Sequence, residues 1–199
     1  KDQAAIDAGK AWMTYDVEAA NAALDAAGLT RGNDGIRVDQ DGKKMEYELI
    51  VPSGWTDWIS ASQIICQNMS DLGITVTLTT PEETTWTDSV TKGEFQWALG
   101  WGSGGPTPYN YYRGQMSALT SMPVGQSANE NWGRYVSPDA DKLLDEFAKT
   151  SDITEQKKLM GQIEMLFVEE APVLPLFPGP DWYEYSTARF VGWPSADNN

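Results

Sequence analysis

Histidine is missing from this chain altogether, and cysteine occurs once, as Cys66. Without imidazole, serine–histidine and cysteine–histidine nucleophilic sites are excluded, and so are most zinc sites. A single thiol has no partner for a disulfide, and its setting in Ile64-Ile-Cys-Gln-Asn-Met69 reads as a small buried hydrophobe. Positive charge is scarce: 14 Lys and Arg stand against 29 Asp and Glu, a formal net charge of -15. That field repels nucleic acid and anionic lipid, whose binding requires Lys and Arg on phosphates. Apolar runs fall well short of the ~20 residues that a membrane helix needs. No signal peptide is visible, and the chain starts and stops (Lys1-Asp-Gln, Asp197-Asn-Asn199) without element boundaries, as a fragment of something longer would.

Tryptophan is the residue in excess, with 9 among 199 residues. Each indole needs a large apolar surface and a partner for its N–H, so this many suggests rings used for recognition as well as packing. Periodicity gives the frame. A helix is expected from an Asp16 N-cap to Ala27, with Val17, Ala20, Ala23, Leu24 and Ala27 on one face and Gly28 as its stop. A strand follows with Met45, Tyr47, Leu49 and Val51 on one side. Next come a helix from near Asp57 to Gly73, a strand through Ile74, Val76 and Leu78, and a helix capped by Thr80-Pro-Glu-Glu83 and ending at Gly93. Phe95, Trp97, Leu99 and Trp101 alternate as a third strand. Strands alternating with helices through short connections predict an α/β fold with a mainly parallel sheet. Two further helices are expected after Ser137-Pro138 and Asp152, then extended segments at Pro172–Phe177 and Trp182–Tyr185.

Two loops carry the chemistry: Pro52-Ser-Gly-Trp55-Thr-Asp57-Trp58 after the first strand, and Trp101-Gly-Ser-Gly-Gly-Pro-Thr-Pro-Tyr109-Asn-Tyr-Tyr112 after the third. Parallel strands place both on one rim of the sheet, where ligands of open α/β folds sit. Indole faces stack on the apolar faces of sugar rings, and small residues let backbone N–H groups approach hydroxyls. By analogy with aromatic pairs each stack is worth about 0.5–1.5 kcal/mol beyond area burial. Several together would support roughly micromolar affinity, about -8 kcal/mol. Trp55 and Trp101 are the expected platforms, with Ser103, Gly104 and Gly105 presenting the backbone and Tyr109, Asn131 and Arg134 adding polar contacts. The competing role for these rings is as core pillars, which is the expectation for Trp97. Asp39, Asp41, Gly42 and Glu48 fit a calcium loop only partly, because Arg37 stands at its first position, so a polar hairpin is expected there. The sequon Asn68-Met-Ser70 lies inside a helix. Glycosidase chemistry needs two carboxylates across a cleft; among 29 acids none stands out by its setting, and Asp57, beside Trp55, is the one to check. No catalytic residue, metal ligand or cofactor is assigned.

In order, Leu24-Asp-Ala-Ala-Gly28, Leu72-Gly-Ile74, Gly93-Glu-Phe95, the Trp101 loop, Pro138-Asp-Ala-Asp141-Lys-Leu-Leu144 and Glu169-Glu-Ala-Pro172 to Pro175-Leu-Phe177 run through nearly the whole chain. Their order and spacing resemble the C-terminal lobe of the oligopeptide/dipeptide-type extracellular solute-binding proteins, family 5, of ABC importers. The resemblance implies a periplasmic-binding-protein type II lobe, with residues 1–199 a single partial domain whose N-terminal lobe and extreme C-terminus lie outside it. It also implies a periplasmic or extracellular monomer, free or lipid-anchored, that closes over its ligand and delivers it to permease subunits, with no enzymatic activity. Peptide binders of the family usually carry an Asp a few residues after the loop Trp. Gly104 and Gly105 stand here instead. Gly104-Gly-Pro-Thr-Pro-Tyr109, Asn131-Trp-Gly-Arg-Tyr135 and Val191-Gly-Trp-Pro194 look like the cello-oligosaccharide and β-glucoside binders. The expected ligand is therefore a β-linked oligosaccharide. A peptide in the same fold is the first alternative and a glycoside hydrolase domain the second.

Overall fold

Strand β1 (Glu46–Ile50) lies between β2 (Thr75–Thr79) and β3 (Trp97–Ala98), and both neighbours run parallel to it. The computed structural model describes residues 2–179 and 184–193, and among these the three strands form one sheet in the order β2-β1-β3. The register pairs Glu46 with Thr75 and Ile50 with Thr79 on one side, and Leu49 with Trp97 and Ile50 with Ala98 on the other. The fold is therefore mixed α/β, with helices α1 (Gln3–Ala11), α2 (Val17–Ala26), α3 (Thr56–Asp71), α4 (Glu83–Lys92), α5 (Pro108–Met116), α6 (Pro138–Lys149) and α7 (Ile153–Glu170).

Period-two alternation along the strands divides the core in two. Leu49, Val51 and Leu99 face Ile59, Ile65 and Cys66 of α3, while Ile50 and Ala98 face Trp86 and Val90 of α4. Central β1 is thus covered on both sides at its carboxyl end, as a parallel strand requires. A third cluster joins α5, α6 and α7 through Met116, Ala140, Leu144, Ile163 and Phe167. Helix α1 lies against α7, where Trp12 sits 6.0 Å from Phe167.

Several boundaries follow their caps. Asp16 accepts from the Ala19 N–H, Ser137 from Ala140, and Asp152 from Thr154 and Glu155. Other expectations are corrected. Helix α2 forms where its cap places it but buries no residue. Helix α4 starts at Glu83 rather than after Thr80, because the Pro81 carbonyl instead accepts from the Ser53 N–H and ties the β2 exit to the β1 exit. Strand β3 has two residues, not the four-residue alternation. Tyr109, Tyr111 and Tyr112 lie in α5 rather than in a loop, with Thr107 and Pro108 starting the helix. Helix α1 has no counterpart among the expected elements. The stretch from Pro172 to Phe177 forms no strand, and of the segment expected at Trp182–Tyr185 the residues Trp182 and Tyr183 lie outside the described residues, as does Pro194.

The polar hairpin is present, bridged at Arg31 with Arg37 and at Val38 with Lys44. Asp39 Oδ1 accepts from the N–H groups of Asp41 and Lys43, which closes the turn of the hairpin.

Candidate functional site

The exits of β1 and β3 converge as the parallel register demands. Trp55 stands at the N-cap of α3 and Trp101 three residues beyond β3, and their indoles are stacked with centroids 5.9 Å apart and planes 28° from parallel. Trp101 is the hub of a larger cluster: Trp86 lies at 5.2 Å, Trp132 at 5.6 Å and Trp58 at 6.1 Å. Trp55 also meets Trp58 edge-on at 4.6 Å. Five indoles thus share one end of the sheet. Trp86 at the base is fully buried, whereas Trp101 keeps 50% of its surface in solvent. Its neighbours cover the other half of the ring, and offset or edge-on contacts of this kind each contribute roughly 0.5–1.5 kcal/mol.

The loop after Trp101 lies flat on α5. A Cβ on Gly102 would come within 2.6 Å of the Tyr111 ring, and one on Gly105 within 2.3 Å of Asn110. Gly104 has nothing within 4 Å of such a position. Gly104 and Gly105 are exposed, and their backbone N–H groups take no partner among the described residues, so they are available as donors in the loop that follows Trp101.

The remaining expected residues take other positions. Ser103 turns toward α5, where its Oγ accepts from Gln115 Nε2 at 3.1 Å; a side chain on Gly114 would collide with it. Tyr109 stacks on Phe147 at 4.8 Å, nearly parallel. Asn131 is 2% exposed; its amide donates to the carbonyls of Ser117 and Tyr135 and its Oδ1 accepts from the Tyr135 N–H. Arg134 spends its guanidinium on the carbonyls of Thr91, Gln126, Asn131 and Trp132, and burial holds its pKa below the ordinary value. Asn131 and Arg134 both adopt positive φ, 50° and 57°, so the turn between them is a fixed clip that brings Trp132 to Trp101. The cluster members not expected from the sequence are Trp86 and Trp132. Their signal was the α4 apolar position at Trp86 and the Trp within Asn131-Trp-Gly-Arg134.

Polar groups at the same rim are the exposed Asp57, Glu82 and Glu83, at the starts of α3 and α4. No cluster of three or more His, Cys, Asp or Glu side chains is placed to hold a metal among the described residues, and no described helix is long and apolar enough to cross a membrane. One cleft of about 330 Å³ is lined by Met122, Val124, Val136 and the candidate residue Arg134, and another of about 510 Å³ lies between α1, α6 and α7. Neither is lined by any of the five clustered indoles.

The profile of the bacterial extracellular solute-binding proteins, family 5 (middle) matches residues 2–122. The chain belongs to this family. Its structure is similar to the mannohexaose-bound periplasmic oligopeptide-binding protein of an oligopeptide ABC transporter from Thermotoga maritima, at 27% identity and a TM-score of 0.79 over 93% of this chain and 35% of that one. The nonapeptide-bound oligopeptide-binding protein AppA of Bacillus subtilis shares the fold at 23% identity and a TM-score of 0.67, over 79% of this chain and 30% of that one. So does the stachyose-bound periplasmic binding protein MelB of Agrobacterium fabrum, at 19% identity and 0.64, over 79% and 25%. The chain spans about a third of the length of the solved structures it matches. No curated protein sequence matches it. These relatives are binding proteins of the periplasmic type II fold.

Proposed function

We propose that this chain is part of the C-terminal lobe of a two-lobed binding protein that captures β-linked, cellobiose-like oligosaccharides outside the cell membrane and delivers them to the permease of an ABC importer. The observation that carries the reading is that Trp101, stacked on Trp55, keeps half of its surface in solvent, in the loop that also holds the exposed Gly104 and Gly105. A pyranose offers an apolar face for the indole and hydroxyl oxygens for the N–H groups of these glycines. The mannohexaose held by the Thermotoga relative is consistent with it. In this reading Trp55 and Trp101 are the platforms and Gly104 and Gly105 the donors. Ser103, Tyr109, Asn131 and Arg134 shape the loop from behind. A monomer, free or lipid-anchored, satisfies this role, with the second lobe closing over the sugar.

Peptide capture is the second reading, favoured by one observation: exposed Asp57, Glu82 and Glu83 on the same rim offer carboxylates to an α-amino group. Thermal-shift titration of the complete protein separates the two. Cello-oligosaccharides are expected to raise Tm and di- to pentapeptides to leave it unchanged. The reverse pattern would overturn the oligosaccharide reading.

A further inference from the structure

Trp86 sits at the base of the indole cluster with no exposed surface, and its Nε1 has no hydrogen-bond partner among the described residues. Leaving such a donor buried and unpaired costs about 1–3 kcal/mol. Its packed neighbours are apolar: Ile50, Val90, Phe95 and Ala98, with the rings of Trp58, Trp101 and Trp132 around it. Trp132, half-buried, donates its own N–H to the Ala128 carbonyl, whereas the Trp86 N–H is both buried and unpaired among the described residues.

The exposed Gly100 lies close over this part of the cluster: a Cβ built on it would meet the Trp132 ring at 3.2 and 3.6 Å and Cζ2 of Trp86, a ring atom on the nitrogen side of the indole, at 3.9 Å. Trp86 is therefore bordered on this side by Gly100, Trp132 and the Trp101 ring, the last 5.2 Å away and tilted by 55°. The Gly100–Trp101 part of that cover lies beyond the last residue of β3, in a stretch that carries Gly100, Gly102, Gly104 and Gly105 within six residues.

We propose that Trp86 is a concealed ligand-binding residue. On engagement of a hydroxylated ligand the Trp101 ring shifts off Trp86, and the indole N–H donates to a ligand hydroxyl, directly or through one water carried in with it. The inference rests on the oligosaccharide reading of the Trp101 face. It adds a selection step, because an apolar ligand that stacks on Trp101 cannot repay the shift with an acceptor.

Two measurements on the complete protein test it, with mannohexaose and cellotetraose as probes. The first follows the Trp86 indole N–H by 15N-resolved NMR, assigned by its loss in Trp86→Phe. Saturating sugar is expected to move this resonance downfield and to change its exchange with solvent. The second replaces Trp86 with β-(3-benzothienyl)alanine, which keeps the ring volume and deletes the N–H. Affinity is expected to fall five- to tenfold, with Tm unchanged or higher because an unpaired donor has gone. If the sugars bind and neither the resonance nor the affinity responds, the concealed contact is overturned and the oligosaccharide reading stands; an N–H held by a neighbouring ring face would behave in this way. If neither sugar binds the unaltered protein, both fall.

Discussion

Arg37 and Asp25 form an ion pair at 2.6 Å whose two members are worth very different amounts. Arg37 is 1% exposed and also donates to the Leu72 carbonyl at 2.7 Å, to Asn21 Oδ1 at 2.7 Å and to the Leu29 carbonyl. Asp25 keeps 63% of its side chain in water. Replacing Arg37 by Met removes the buried guanidinium from the half-buried Leu72 and Leu29 carbonyls, while Asn21 Oδ1 keeps its bond from Arg31, so Arg37→Met is expected to cost about 2–3 kcal/mol in urea denaturation. Asp25→Asn loses only a screened contact and is expected to cost under about 1 kcal/mol. Equal costs would contradict the view that Arg37 acts as a buried clip between the hairpin and the end of α3. Glu164 gives a pH-dependent case. Burial first, and the Asp2 charge next, hold its carboxyl above the ordinary 4.5. A raised folded value means that folding favours the protonated form, so the contribution to stability is full below about 4.5 and is lost as pH rises through the folded value. Glu164→Gln is therefore expected to raise Tm at pH 7, by a margin that shrinks as pH falls toward 4. A margin independent of pH would contradict this.

Among the elements, α7 ends on Ala171 at φ 48°, ψ 51°, with its N–H donating to the Phe167 carbonyl. That left-handed position costs a residue with a Cβ about 1–2 kcal/mol, while glycine loses more entropy from the unfolded chain. Ala171→Gly is expected to stabilise by roughly 0.5–1 kcal/mol, read as a higher denaturant midpoint; a lower one would show that the cap is not strained. Elements whose caps and periods agree are legible in the amino-acid sequence: Ser137-Pro138 and Asp152 mark α6 and α7, and the order of β1, α3, β2, α4 and β3 follows from alternating periods. Where local cues competed, tertiary contacts decided. Thr80-Pro81 looks like a helix start but is claimed by the Ser53 N–H, and Thr107-Pro108 was hidden inside a run of glycines that reads as loop. The site was partly legible for the same reason. Parallel strands put Trp55 and Trp101 together, which spacing alone predicts. The inward turn of Asn131 and Arg134 depends on positive φ at both residues, and the burial of Trp86 depends on which face of α4 meets the sheet.

At the scale of the molecule, three apolar clusters among the described residues hold a small sheet and its helices so that five indoles gather at one rim. An open face binds weakly by itself, since water remains on its outer side. In the proposed two-lobed protein, a second lobe would exclude that water and complete the contacts. The net charge of -15 fits a neutral ligand rather than an anionic one. The direct test is calorimetric titration of the complete protein with a β-linked oligosaccharide, comparing the unaltered chain with Trp101→Ala. The account predicts heat of binding in the first and at least a tenfold weaker affinity in the second, a change of about 1.4 kcal/mol. Equal affinity in the two proteins would show that the exposed indole face is not where the ligand sits.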